Sequence, residues 1–102
     1  MNITQSAFDY SIRIAELVKH LRSDEKSFPL CNDLLTCGVD VGFYLQEPSC
    51  PDKAVNSLNK ADYIIQMAVK AGYLTERQTI RIRNSGQELI KMICENKGGG
   101  ST

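Results

Sequence analysis

The chain has 102 residues, enough for one domain that buries roughly 60% or more of the surface its unfolded form exposes, so a core forms without metal or disulfide staples. Lys plus Arg and Asp plus Glu each number 12, which excludes an overall field of the kind that draws a protein onto nucleic acid or an anionic membrane. The longest apolar runs fall far short of the roughly 20 residues needed to cross a bilayer, and no basic-then-apolar leader opens the chain, so a cytoplasmic protein without a membrane partner is expected.

The first helix is predicted from Ile3 to Ser23. Ile3, Ala7, Ile14, Val18 and Leu21 keep the three-and-four spacing of one helical face, and Phe8, Tyr10, Ala15 and Leu17 widen it. A polar segment from Asp24 to Phe28 leads to Pro29, whose fixed φ and missing N–H suit a first helical turn. The second helix is predicted from Pro29 to Glu47, with Leu30, Leu34, Cys37, Val41 and Leu45 on one face and Leu35, Val39 and Phe43 on another. Only a narrow strip with Asp33, Thr36, Asp40 and Glu47 is polar. Pro48 and Pro51 break the chain, and Pro51 is placed to start a third helix running to Gly72, with Ala54, Leu58, Ala61, Ile65 and Ala68 inward. Gly72 reads as a left-handed helix terminator, and Thr75 with Gln78 reads as a capping box. The fourth helix then presents Ile82, Gly86, Leu89, Ile90 and Ile93 inward and ends near Asn96. Loops of three to five residues make successive helices antiparallel, so the expected fold is all-α, an up-down-up-down four-helix bundle over residues 1–97 with a flexible tail at 98–102.

Chemistry-bearing motifs are sparse. Cys31, Cys37, Cys50 and Cys94 form no CxxC pair, and in an antiparallel bundle His20 and Cys31 lie toward one end while Cys50 and Cys94 lie toward the other. They are read as reduced apolar or surface residues, with a Cys50–Cys94 disulfide conceivable only as an oxidation artefact. Asp33, Asp40 and Glu47 recur every seven residues on a solvated face without the Glu-x-x-His pairs of di-iron bundles. Neither a catalytic set nor a cofactor or metal site is expected, and the chain is read as a non-enzyme.

Two features point outward. Arg77, Arg81 and Arg83 crowd the start of the fourth helix, where the helix dipole disfavours positive charge; solvated charge, a neighbouring subunit's acidic second helix and RNA are the alternatives. The second helix is apolar over more than the roughly 100° stripe that a monomeric bundle buries, and it carries Gly38-x-x-x-Gly42, two glycines that cost about 1 kcal/mol each unless close backbone packing uses the space. Tight packing within the bundle and a subunit interface both account for the glycines. The candidate interface comprises Leu35, Gly38, Val39, Gly42 and Phe43.

FDYSIRIAELVKHL in the first helix, LLTCGVDVGFYLQE in the second, and AVKAGYLTERQ leading to GQELIKMI resemble the four-helix bundle proteins first noted as reading frames within 23S ribosomal RNA intervening sequences. The resemblance spans all but the tail. Its most specific elements are Gly38 and Gly42 with Glu47, and the run from Gly72 through Tyr73, Leu74 and Thr75 to Glu76. That family is similar in fold to the accessory variability protein of diversity-generating retroelements, a basic homopentameric bundle that binds a reverse transcriptase and RNA. The resemblance thus implies a homo-oligomeric ring, five subunits by that analogy, acting as an interaction or scaffold protein; the alternative is a nucleic-acid-associated accessory protein using Arg77, Arg81 and Arg83.

Overall fold

A computed structural model describes residues 2–23, 28–46 and 49–100. Four α-helices account for the architecture: α1 (Ile3–Ser23), α2 (Cys31–Tyr44), α3 (Pro51–Lys70) and α4 (Glu76–Gly100). α1 and α3 each pack against both α2 and α4, so the helices stand on the corners of a square, with close backbone approach along its four sides. Phe28, ahead of α2, packs at a tilt against Tyr73, after α3, with ring centroids 5.0 Å apart, and His20 near the end of α1 meets Gln78 near the start of α4. Both contacts place the first and third connections at one end of the molecule, which makes this the expected up-down-up-down bundle.

Local chemistry explains most helix ends. Asn2 caps α1 by accepting the Gln5 N–H on its side-chain oxygen at 2.7 Å. α3 opens on Pro51 as the sequence indicates, because the first-turn N–H it lacks has no intrahelical acceptor anyway. At its far end Gly72 adopts φ +87°, the Tyr73 N–H reaches the Ala68 carbonyl at 2.9 Å and the Gly72 N–H reaches Val69 at 3.1 Å, a complete Schellman termination. Thr75 and Gln78 then close the capping box reciprocally, at 2.8 and 3.1 Å.

α2 is shorter than the sequence reading. It begins at Cys31 rather than Pro29, with the Leu34 N–H to Leu30 carbonyl bond as its first rung. It ends at Tyr44, where the Gln46 N–H turns to the Phe43 carbonyl at 3.2 Å in a tightened last turn and the Cys50 N–H takes the Tyr44 carbonyl at 2.6 Å. Glu47, expected at the helix end, lies outside the described residues. α4 runs beyond the expected stop at Asn96 to Gly100, and its last buried residue among those described is Ile93. No proline interrupts that stretch, so the backbone pattern continues past the core. Phe28, read from the sequence as part of a polar loop, is buried and closes one end of the core with Leu74.

The core is the expected one at Leu34, Val41, Leu58, Ile65, Leu89 and Ile93, all buried. Its tightest element is α1, which meets a glycine of a neighbouring helix at three positions. A methyl group on Gly38 would lie 2.6 Å from Ile14 Cγ2, one on Gly42 would lie 2.8 Å from Ser11 Oγ, and one on Gly86 would lie 3.3 Å from the Tyr10 ring. The Ser11 hydroxyl donates to the Gly38 carbonyl at 2.6 Å, tying α1 to α2 where their backbones approach most closely. The Gly38-x-x-x-Gly42 motif therefore serves packing inside the chain.

Three consequences are measurable. Gly38→Ala should cost about 1–3 kcal/mol in denaturant unfolding, because Ile14 Cβ is itself only 2.8 Å away and the helices must move apart. Gly72→Ala meets no neighbour within 4 Å and should cost about 1–2 kcal/mol through its left-handed backbone alone. Burial pushes the Tyr10 phenol well above its ordinary value near 10, with Asp62 and Cys37 adding to the shift. Its contribution to stability is therefore complete below about pH 10 and is lost as the pH rises further, since the unfolded chain ionises first. Tyr10→Phe should flatten the fall in stability measured above about pH 10.

Candidate functional site

The glycine seam brings the outer faces of α1 and α2 side by side. On α1, Phe8, Ile12 and Ala15 lie outside the seam residue Ser11; on α2, Leu35, Val39 and Phe43 lie outside Gly38 and Gly42. Phe8 and Val39 are each 58% exposed, Phe43 is 66% exposed and Ile12 44%. Phe8, Val39 and Phe43 line a groove of about 580 Å³ with Ser11 and Gly42 between them and Gln5 and Gln46 among its polar borders. No charged side chain lines it.

The five residues singled out in α2 thus divide. Gly38 is buried against Ile14 and Gly42 sits against Ser11, Leu35 is partly buried against the core, and Val39 and Phe43 are free to meet a partner. Sequence reasoning assigned Phe8 and Ala15 to the widened core face of α1, but both are exposed. With Ile12 they extend the apolar face onto a second helix. The spacing of Phe8, Ile12 and Ala15 at i, i+4 and i+7 carried that signal.

The three arginines of α4 do not form one patch. Arg83 turns toward α3 and donates from Nε to Asp62 at 2.8 Å, a bond that holds its guanidinium protonated. Arg81 turns the other way, into a groove shared with Arg13, Glu16 and His20 of α1. Arg77 is exposed, and among the described residues neither it nor Arg81 has a carboxylate within 4 Å. The Arg83–Asp62 pair is partly exposed, so Arg83→Gln should change thermal unfolding by only about 0–1 kcal/mol. A larger loss in a melting curve would make the pair a principal clamp between α3 and α4.

Cys31 and Cys37 are buried and Cys50 and Cys94 exposed, all four as free thiols. Burial pushes the Cys37 thiol up, away from the reactive thiolate, with Lys60 opposing and Asp40 and Asp33 adding. Among the described residues no group of three or more His, Cys, Asp or Glu side chains converges as a metal site, and no helix is long and apolar enough to cross a membrane.

Comparison with solved structures finds the same fold in a protein of unknown function from the S23 ribosomal protein family of Bacteroides thetaiotaomicron VPI-5482. The TM-score is 0.85 at 20% sequence identity, over 92% of this chain and 96% of that one. At that identity the likeness establishes the four-helix fold. No family model and no curated protein matches the sequence.

Proposed function

We propose that this chain is a non-enzymatic, self-associating helical bundle that acts as an interaction or scaffold module, with the outer face of α1 and α2 at its subunit contact. The observation that carries the reading is the apolar stripe of Phe8, Ile12, Val39 and Phe43, exposed on two adjacent helices around an uncharged groove. A contiguous exposed apolar surface is characteristic of protein contacts. Each such side chain contributes roughly 1.5–3 kcal/mol when fully buried, against an association cost of about 4–15 kcal/mol, so the opposing surface must be apolar as well. A second copy of the chain supplies such a surface. The sequence resemblance to the intervening-sequence bundle proteins supports the same reading and implies a ring of five.

Light scattering on the full chain tests this directly. The expected mass is a multiple of the 11.4 kDa protomer, five times that value for the ring. Val39→Glu with Phe43→Glu should release monomers whose helical content is preserved, since both positions are exposed on the protomer, and whose melting temperature is lower by what association contributes. A monomer at micromolar concentration in the unaltered protein would contradict self-association, and an oligomer indifferent to both charges would move its interface elsewhere.

A further inference from the structure

The geometry points to a second binding site, for a small organic phosphate of nucleotide type, in the groove between α1 and α4. This groove of about 410 Å³ has Leu17 and Ile82 as apolar lining and Arg13, Arg81, His20 and Gln78 as polar lining, with Glu16 as the one carboxylate. It is an open groove, and what sets it apart is its lining: basic and polar side chains from two helices around a small apolar floor, which suits a compact anion. Two arginines from different helices, neither with a carboxylate within 4 Å among the described residues, can take phosphate oxygens through charge-assisted hydrogen bonds. Leu17, half-buried, is the apolar surface left for the organic part of the ligand, since Ile82 is buried beneath it.

Comparison with the other grooves singles this one out. Along the same α1–α4 seam a second groove sets Arg13 against Asp9 and Glu88, and the α3–α4 groove sets Arg83 against Asp62 and Glu76. Each of those carries more acid than base. The α1–α4 groove near His20 carries two arginines against one carboxylate, so of the four described it alone attracts an anion.

One wall is also pre-set. The Gln78 carbonyl oxygen accepts the Thr75 N–H at 2.8 Å in the capping box, which fixes the amide and leaves its nitrogen 3.4 Å from His20 Nε2. With His20 Nε2 unprotonated, Gln78 Nε2 can donate one proton to it and has the second for a ligand oxygen. Start of α4 and end of α1 are joined beside the groove, so the ordering that binding requires falls on the exposed Arg13 and Arg81 side chains rather than on the backbone.

The test is a titration of the isotopically labelled full chain, followed by nuclear magnetic resonance, with inorganic phosphate, adenosine monophosphate, adenosine and a short single-stranded RNA. Saturable shifts centred on Arg13, His20, Gln78 and Arg81 are expected, with the monophosphate binding more tightly than phosphate or adenosine alone. Arg13→Gln and Arg81→Gln should each weaken it roughly tenfold or more, whereas Glu16→Gln should strengthen it. Equal or weaker binding of the RNA identifies a free nucleotide; tighter binding that falls steeply with salt identifies a nucleic-acid phosphate. Shifts that fail to saturate at millimolar monophosphate, or that are unchanged in both arginine variants, overturn the site. The mass of each variant, read on the same samples, keeps this outcome separate from the self-association of the α1–α2 face.

Discussion

The contact on which the molecule turns is the insertion of α1 side chains against glycines of its two neighbours. Ile14 and Ser11 press on Gly38 and Gly42 of α2, and the Tyr10 ring presses on Gly86 of α4. A helix interior tolerates glycine at a cost of about 1 kcal/mol relative to alanine, so three such positions are a considerable concession unless the space is used. Here it is used fully, because the missing methyl groups are what allow α1 to approach. The Ser11 hydroxyl then bonds across the seam to the Gly38 carbonyl, adding direction to what packing alone would leave free to slide.

That close approach has an outward consequence. When two helix axes come together, the residues flanking the seam on each helix are brought into one surface, and at α1 and α2 those residues are apolar. Phe8 and Ile12 on one side and Val39 and Phe43 on the other therefore form a single face rather than two separated stripes. The other seam of α1, against α4, is flanked by charged and polar groups, among them Arg13, Glu16, His20 and Arg81. One helix thus divides the surface into an apolar side suited to a partner chain and a polar side suited to a small anion.

The sequence was most legible where structure is local. The capping box of Thr75 and Gln78 and the left-handed Gly72 involve residues within a few positions of each other, so composition alone indicated them, and the structure places both as expected. The buried stripes of α3 and α4 followed from helical period. Legibility fell where tertiary contacts decide. Nothing in the spacing of Gly38 and Gly42 says whether the helix against them belongs to the same chain, and nothing local says that Phe28 folds back over the core onto Tyr73. Arg77, Arg81 and Arg83 are near neighbours in sequence, yet the turn of the helix sends Arg83 to Asp62 on α3 and Arg81 to α1. Phe8 was drawn to the core face because an arc of apolar residues on α1 exceeds what the bundle can bury, the same excess that was evident on α2.

The central claim is that the face flanking the α1–α2 seam is covered by another copy of the chain. Phe43 and Tyr63 offer a controlled comparison, since both are aromatic and both are 66% exposed, but only Phe43 belongs to that face. A photoreactive phenylalanine analogue placed at position 43 or at position 63 of the full chain, irradiated at micromolar concentration, reads the contact directly. The account predicts a covalent dimer from position 43 whose peptide map joins two copies of the chain. Absence of such a product at position 43, with efficient crosslinking at position 63, would contradict it.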